Sequence, residues 1–426
     1  QEQKLEDKNL LIMLLNSVKI IDPNRDFNSL ITEFIKKFLQ WRDSEGLISA
    51  VKRLKLNHQA LLNFVNKSTN VVPFIRLCPD GFPKGLLCFR DLVRSRKIID
   101  LNIINTLCRF HRNFLGDGVT IDLHSITDTS QTLYNPSLSN EIRLMTKRLI
   151  KNGVLKTINI NNLKPTFFIS GKGGPSGPAL LKAQGCLSAM KNGDINSQRL
   201  LKHLIDLSEL LNFNEIKDVL KVTKNELSKG EFHSRLRCKQ DKSTKNRIFA
   251  IVDYLTQVIL KPLNDDLFDL LSGFGDSDAT YDQSKIVPYV KKHCYPNTLS
   301  QNRLFSIDLS KATDRLKRGY YQVILEELTG SARFAELIIL SMSDREFFYE
   351  GSTYKYAEGQ GMGTYCSWPL MALLHHIIVQ IAAQRAGLFK YKGISDIYKD
   401  YVLLGDDLVL KGSAVYDNYK IITDEI

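Results

Sequence analysis

The sequence has no apolar run close to the ~18 to 20 residues that a membrane-spanning helix needs; its best stretch is residues 10–15. Its seven cysteines, Cys78, Cys88, Cys108, Cys186, Cys238, Cys294 and Cys366, form no CxxC pair and have no His at zinc-ligand spacing, so no zinc module can be read. Their odd number and scatter point to reduced, mostly buried thiols. No GxxxxGK followed by Ser or Thr is present, which excludes a P-loop. That holds even though Lys172 lies among glycines in ISGKGGPSGPALLKA (169–183), with a helix expected from Ala179. Internal repeats and low-complexity tracts are lacking. So are an initiating Met and a signal-peptide pattern, while Ile426 follows helix-like sequence without a cap, so both ends read as cuts in a longer protein.

What is present is an ordinary globular composition, 43% hydrophobic and 24% charged over 426 residues, enough to bury a sizeable core in two or more subdomains. The net charge of +12 points to a polyanionic partner, which charge alone leaves open among RNA, DNA and a membrane. From residue 5 to about 221 the apolar spacing is mostly helical, as at 30–43, 141–153 and 200–213, with Pro- and Gly-rich loops at 77–85 and 169–183. After about residue 300 the pattern changes. RLFSID (303–308) alternates as a strand and leads into a helix over 315–328. REFFYEGSTYKYAEG (345–359) reads as a hairpin turning at Gly351. SWPLMALLHHIIVQIAAQRAG (367–387) reads as a helix starting at Ser367, with Pro369 in its first turn and Gly387 past its end. YVLLGDDLVLKG (401–412) reads as two strands about the turn Gly405-Asp406-Asp407. This order predicts an α+β domain, an antiparallel sheet with helices on one face.

Two acidic sites stand out against apolar surroundings: Asp308 at the end of one strand, and Asp406 with Asp407 in the turn of a hairpin. A carboxylate after an apolar strand is costly unless a cation sits beside it. If the strands are neighbours in one sheet, Asp308 and Asp406 emerge side by side at its edge, where such a pair can hold two Mg²⁺ ions. Alone, Gly-Asp-Asp is equally the material of a plain β-turn. His375 and His376, on adjacent helix positions pointing different ways, suit packing better than a metal site.

Read together, the segments carry more. SIDLSKATDR (306–315), GQGMGTYCSWPLMALLHH (359–376) and YVLLGDDLVL (401–410) resemble motifs A, B and C of viral RNA-dependent RNA polymerases, most closely those of mitoviruses and their narnavirus relatives. KQDKSTKNRIFAIVDYLTQVILKPLND (239–265) resembles motif F with its following helix, and GPSGPALLKA (174–183) resembles motif G, the loop at the mouth of the template channel. The resemblance implies a right-hand polymerase fold, with helix-rich fingers over 1–300 and a palm over 301–426. Asp308, Asp406 and Asp407 would be catalytic ligands of Mg²⁺, with Mn²⁺ a substitute. Asp314 would accept a hydrogen bond from the ribose 2′-OH, and Gly363, Thr364 and Ser367 would meet the nucleotide. Lys239, Lys242, Lys245 and Arg247 would bind its triphosphate, although a solvated Lys-rich loop would look the same. Gly174, Pro175, Ser176, Gly177, Lys182, Arg235 and Arg237 would contact template RNA without reading sequence.

The implied partners are a single-stranded RNA template, nascent RNA and NTPs, with no obligate protein partner. The implied place is the host mitochondrion, with the host cytoplasm as fallback. Gly361 stands where the family usually has Pro, and Leu255 where it often has Trp; neither change removes a catalytic group. Only 19 residues follow Asp407, so motif D, motif E and the thumb are expected to be absent. A non-catalytic RNA-binding remnant is therefore the rival expectation. Reverse transcription is disfavoured by Asp314 and by Leu404, where a Tyr would be usual.

Overall fold

In the computed structural model the described residues are 2–68, 70–114, 121–129, 134–223, 225–226, 230–242, 245–293, 303–388 and 397–426. They pack as two compact units, one of residues 1–121 with 238–247 and one of residues 122–237 with 248–426. This division by packing differs from the fingers-and-palm division expected near residue 300. That boundary falls in 294–302, outside the described residues, as does Cys294.

The first unit is built on helices. Glu2–Ile21, Asn28–Glu45, Leu47–Val65 and Ile98–Cys108 turn their apolar stripes inward around Phe34, Phe38, Trp41, Leu54, Phe89 and Phe110. Phe38 and Phe110 meet edge to face, centroids 4.7 Å apart, an arrangement worth ~1 kcal/mol beyond its buried area. Among the described residues of this unit one acid is buried. Asp100 is held by the Arg25 guanidinium and the Ser95 hydroxyl, which keep its pKa below the usual carboxylate range against burial.

The second unit is α+β. Its helix Ser367–Arg385 carries apolar residues on every face, with a few buried polar ones among them, the pattern of a helix enclosed by others. Helices Pro136–Lys151, Tyr254–Leu271, Arg318–Thr329 and Ser413–Glu425 pack on it. The described strands are β1 (Gly173–Gly174), β2 (Gly177–Pro178), β3 (Ser234–Asp241), β4 (Lys245–Val252), β5 (Leu304–Asp308), β6 (Phe347–Tyr349), β7 (Ser352–Tyr354), β8 (Tyr401–Leu404) and β9 (Asp407–Lys411). An antiparallel sheet of order β5-β9-β8 lies in this unit.

Several sequence expectations are met in detail. The helix starts at Ser367 and ends before Gly387 at φ +76°. The β6–β7 hairpin turns on Glu350 and Gly351, both at positive φ as a two-residue type I′ turn requires. Two others differ. The glycine loop forms the small β1–β2 hairpin, and its helix begins at Ala183 rather than Ala179, because the Ala183 amide turns to the Leu180 carbonyl three residues back and interrupts the i→i−4 ladder there. The β6–β7 hairpin also does not join the acid-bearing sheet. It extends a sheet of order β4-β3-β6-β7, with Arg235 paired to Phe348 in parallel, because Phe347 is buried against Leu236, Ala250, Val252 and Tyr356.

Cys108, Cys186 and Cys366 are buried while Cys78, Cys88 and Cys238 are half-buried, and all six are free thiols. Among the described residues no helix is long and apolar enough to cross a membrane. His58, His111 and His233 are buried, and each is pushed down to about 4, chiefly by burial. Unfolded His takes up its proton below about 6.5, so between these values the unfolded chain binds more protons and stability falls as the pH is lowered. Urea titrations should show the unfolding free energy dropping by roughly 1 kcal/mol per such group between about pH 6.5 and about pH 5.5.

Candidate active site

Strands β5 and β9 pair antiparallel in a continuous five-residue register that ends with Asp308 directly opposite Asp407. Directly opposed residues in an antiparallel pair project from the same face, so these two carboxylates share one end of the sheet. The expected neighbour of Asp308 was Asp406. The hairpin joining β8 to β9 closes with Leu404 opposite Asp407 and spends only Gly405 and Asp406 on its turn, so the strand begins at Asp407. Asp406 is the second turn residue, and its carbonyl accepts the Leu309 amide at 3.3 Å. Two stretches distant in sequence therefore bring three carboxylates to one place.

Gly405 is needed twice over. Its φ of +60° suits the first residue of a tight hairpin turn, and a Cβ there would lie 2.9 Å from the Trp368 ring. Partial burial, then the charges of Asp406 and Asp308, push the Asp407 carboxyl above its usual range. Among the described residues no group of three His, Cys, Asp or Glu side chains chelates a metal as it lies. The donor set nevertheless fits Mg²⁺ or Mn²⁺: the oxygens are hard, their mutual repulsion is what a dication relieves, and Mg²⁺ takes one or two carboxylates and completes its shell with water and substrate phosphates.

Asp314 lies at the end of the short helix Ala312–Arg315, behind Lys311 at φ +57°. Burial pushes its carboxyl up, opposed by a hydrogen bond with the Ser125 hydroxyl and by the charges of Lys311 and Arg315. The segment after it is pinned to the start of the glycine loop, since Gly359 N–H donates to the Asp314 carbonyl at 3.0 Å and Gln360 N–H to Thr313 at 2.9 Å. Further on, Gly363 has φ +109°, and its carbonyl accepts from Gln257 at 2.9 Å. Met362 accepts the Ala250 amide at 2.8 Å. Thr364 and Ser367 are both buried, and among the described residues the Thr364 hydroxyl has no hydrogen-bond partner.

The basic candidates fall on the β3–β4 hairpin, whose Ser243 and Thr244 lie outside the described residues. Arg235, Arg237 and Lys239 recur at every second position of β3 and so share a face. Lys239, Lys242, Lys245 and Arg247 are exposed, and Arg247 is paired with Asp241. In the glycine loop Lys182 is exposed. Ser176 is not available in the way expected: its hydroxyl accepts the Phe232 amide at 2.7 Å and donates to the Phe232 carbonyl at 3.1 Å. Gly174 is buried, with space for a Cβ closed at 3.0 Å by the Ala179 backbone.

The model of the mitovirus RNA-dependent RNA polymerase family matches residues 160–426, more than half of the chain. The chain belongs to that family. It is 33% identical over 183 residues to the RNA-directed RNA polymerase of Cryphonectria parasitica mitovirus 1 (strain American chestnut tree/New Jersey/NB631), a stretch covering 42% of this chain and 21% of that polymerase. It is also similar to two uncharacterized mitochondrial proteins of Arabidopsis thaliana. One is 32% identical over 126 residues, 28% of this chain and 49% of the plant protein; the other is 29% identical over 124 residues, 27% and 57%. The match thus spans less than two thirds of each relative's length. The crystal structure of the RNA-dependent RNA polymerase of a human picorbirnavirus is 16% identical over 44% of this chain and 37% of that one, at a TM-score of 0.35, too slight a likeness to support an inference.

Within this mitovirus-family chain, two residues near the acids were read from sequence as packing alone. His375 and His376 are fully buried and both are hydrogen-bonded. His375 reaches the Gly405 carbonyl at 2.8 Å and Tyr419 at 2.7 Å. His376 reaches Tyr401 at 2.7 Å and Asp278 at 3.1 Å, with its ring stacked on Phe274. A usable signal was in the sequence, because consecutive histidines in an all-apolar helix must each find partners. Ser125, from a segment read without any role, was not recognisable in that way.

The close approach at Gly359 gives a direct test. A Cβ there would lie 2.3 Å from the Asp314 carbonyl carbon and 2.3 Å from Thr313 O, both backbone atoms that cannot step aside singly. Gly359→Ala should lower stability by about 2 kcal/mol, read from the midpoint of chemical denaturation. Gly351→Ala, with nothing near its Cβ but φ +84°, should cost about 1 kcal/mol through backbone strain alone.

Proposed function

We propose that the chain carries the fingers and palm of a right-hand RNA polymerase and performs template-directed nucleotidyl transfer. An RNA 3′-OH, or an initiating nucleotide, attacks the α-phosphorus of an NTP paired with an RNA template, and pyrophosphate leaves. The observation that carries this reading is the β5–β9 register that sets Asp308 opposite Asp407 with Asp406 beside them, in a chain of this family. Replication of a small positive-strand RNA genome in the host mitochondrion is supported by the family and by the likeness to plant mitochondrial proteins.

Asp308 and Asp406, with Asp407 next to them, would hold two divalent cations, Mg²⁺ or Mn²⁺. When bound, such ions lower the pKa of the attacking hydroxyl and offset charge on the departing pyrophosphate. Asp314 accepts a hydrogen bond from the ribose 2′-OH, a group that DNA precursors lack. The Thr364 hydroxyl, without a partner among the described residues, is supplied to the same sugar, while Gly363 leaves the backbone free to approach the nascent pair. Lys239, Lys242, Lys245 and Arg247 are assigned phosphate binding on charge and exposure, Arg247 the least available because Asp241 neutralises it. Arg235, Arg237, Lys182 and the Gly174, Pro175 and Gly177 backbone are assigned template contacts.

Labelled NTP incorporation on a single-stranded RNA with Mg²⁺ tests the assignment. Asp406→Ala and Asp308→Ala should each abolish incorporation, a loss of at least ~10³-fold if charge stabilisation of the transition state is removed. RNA binding by the wild-type chain with no product would identify the non-catalytic remnant instead. Asp314→Ala should keep incorporation measurable and erode the preference for NTP over dNTP by roughly tenfold, the worth of one hydrogen bond to a charged group. Competition between matched NTP and dNTP substrates reads that ratio.

A further inference from the structure

Asp406 stands in a turn that its own sequence does not fully specify. Two-residue hairpins close in either of two forms that differ mainly by a flip of the peptide between the two loop residues, here Gly405–Asp406. In one form the second residue has negative φ, in the other positive φ. Gly405 at +60° serves both, and Asp tolerates positive φ better than most residues. Asp406 takes the negative-φ form. A flip would reverse the Gly405 carbonyl and the Asp406 amide, tilt the Asp406 Cα–Cβ bond that aims its carboxylate, and leave the strand register untouched, so the choice must be made from outside the turn.

The selecting contact is at the Gly405 carbonyl, the oxygen of the peptide that would flip. His375 Nδ1 lies 2.8 Å from it. A carbonyl only accepts, so Nδ1 carries the proton. Burial pushes the imidazole down to about 4, so the ring is neutral and Nε2 is the acceptor, met by the Tyr419 hydroxyl at 2.7 Å. Tyr419 is buried on helix Ser413–Glu425 and can donate there. Trp368 and Met371, on the same face of the helix as His375, close the other side of Gly405.

We propose that His375 is a positioning residue that holds the Gly405–Asp406 peptide in one of its two orientations, and so aims the Asp406 carboxylate, with Tyr419 fixing the imidazole tautomer. This rests on the polymerase reading, in which Asp406 is a cation ligand. The test is Mn²⁺ binding by the full chain, followed through the EPR signal of free Mn²⁺. His375→Leu, which fills the space without a donor, should weaken binding roughly tenfold, the usual cost of losing an outer partner of a ligand. Tyr419→Phe should weaken it less, in the same direction. His375→Asn returns a donor close to the place of Nδ1 and should recover most of the affinity.

Gln380→Leu removes hydrogen bonds of the same helix to the Tyr398 carbonyl and Tyr401 hydroxyl, away from the turn. It should leave Mn²⁺ affinity within about twofold, the change expected without loss of an outer ligand partner. Wild-type affinity in His375→Leu, or an equal loss in Gln380→Leu, overturns the inference. If His375→Leu does not fold, unchanged binding in Tyr419→Phe overturns it. Mn²⁺ binding that Asp406→Ala leaves intact overturns the polymerase reading and takes this inference with it; loss in Asp406→Ala with no loss in His375→Leu overturns the inference alone.

Discussion

Three carboxylates gathered at one end of a sheet repel one another, and that repulsion is the condition the surrounding structure has to bear. Two unit charges about 5 Å apart interact with roughly 3 kcal/mol at an effective dielectric of 20, less where water screens them. Asp308 and Asp407 reach solvent, so screening helps, while partial burial first, and then the charges of its two neighbours, push the Asp407 carboxyl up. A loosely held turn would relax by swinging its acids apart. Five paired residues between β5 and β9 and a two-residue turn between β8 and β9 leave little freedom to do so. The geometry is retained at an electrostatic cost that a bound dication would offset.

The helix Ser367–Arg385 adds to that rigidity at the turn through one polar residue, and its others fix the end of β8 remote from the turn. His375 bonds to the turn itself. His376 and Gln380 meet at the Tyr401 hydroxyl on β8, and Gln380 also exchanges both of its amide bonds with the Tyr398 backbone just before the strand. Asp278, which accepts from His376, is bridged to Leu403, and Ala279 donates to the Leu403 carbonyl at 2.8 Å. Apolar contacts would bury this helix equally well in many rotations and slides. Buried polar groups accept few arrangements, because each one left unpaired costs about 1 to 3 kcal/mol. The polar residues thus convert a generic apolar core into a defined relation between the helix and the acid-bearing hairpin.

Much of this was legible in the sequence, and the limits have physical causes. Alternation in 303–308 and 401–410 and an unbroken apolar run after Ser367 are patterns that burial imposes, so β5, β8, β9 and the long helix were readable with useful bounds. Gly351 and Gly405 marked their turns because positive φ is cheap only for glycine. The residue facing Asp308 was not readable. Gly-Asp-Asp is compatible with a turn that ends at Asp406 or at Asp407, and the choice depends on cross-strand register, which no local pattern records. The sheet that the β6–β7 hairpin joins depends likewise on Phe347 finding Leu236, more than a hundred residues away.

The glycine loop shows the same dependence in its most demanding form. Gly359 lies on the Thr313–Asp314 backbone, Gly361 on the Ala250 side chain, and Gly363 on the Ala250 carbonyl, each with a Cβ position under 3 Å from the neighbour. These approaches come from two different parts of the chain, so the loop is a junction rather than a tether. Because the Gly359 and Gln360 amides end on Asp314 and Thr313, any displacement of the loop must strain or break bonds to the segment that carries the proposed sugar-selecting acid. Loop position and the placement of Asp314 are therefore one variable, and substitutions that crowd the glycines would act on the proposed sugar selection without touching a nucleotide.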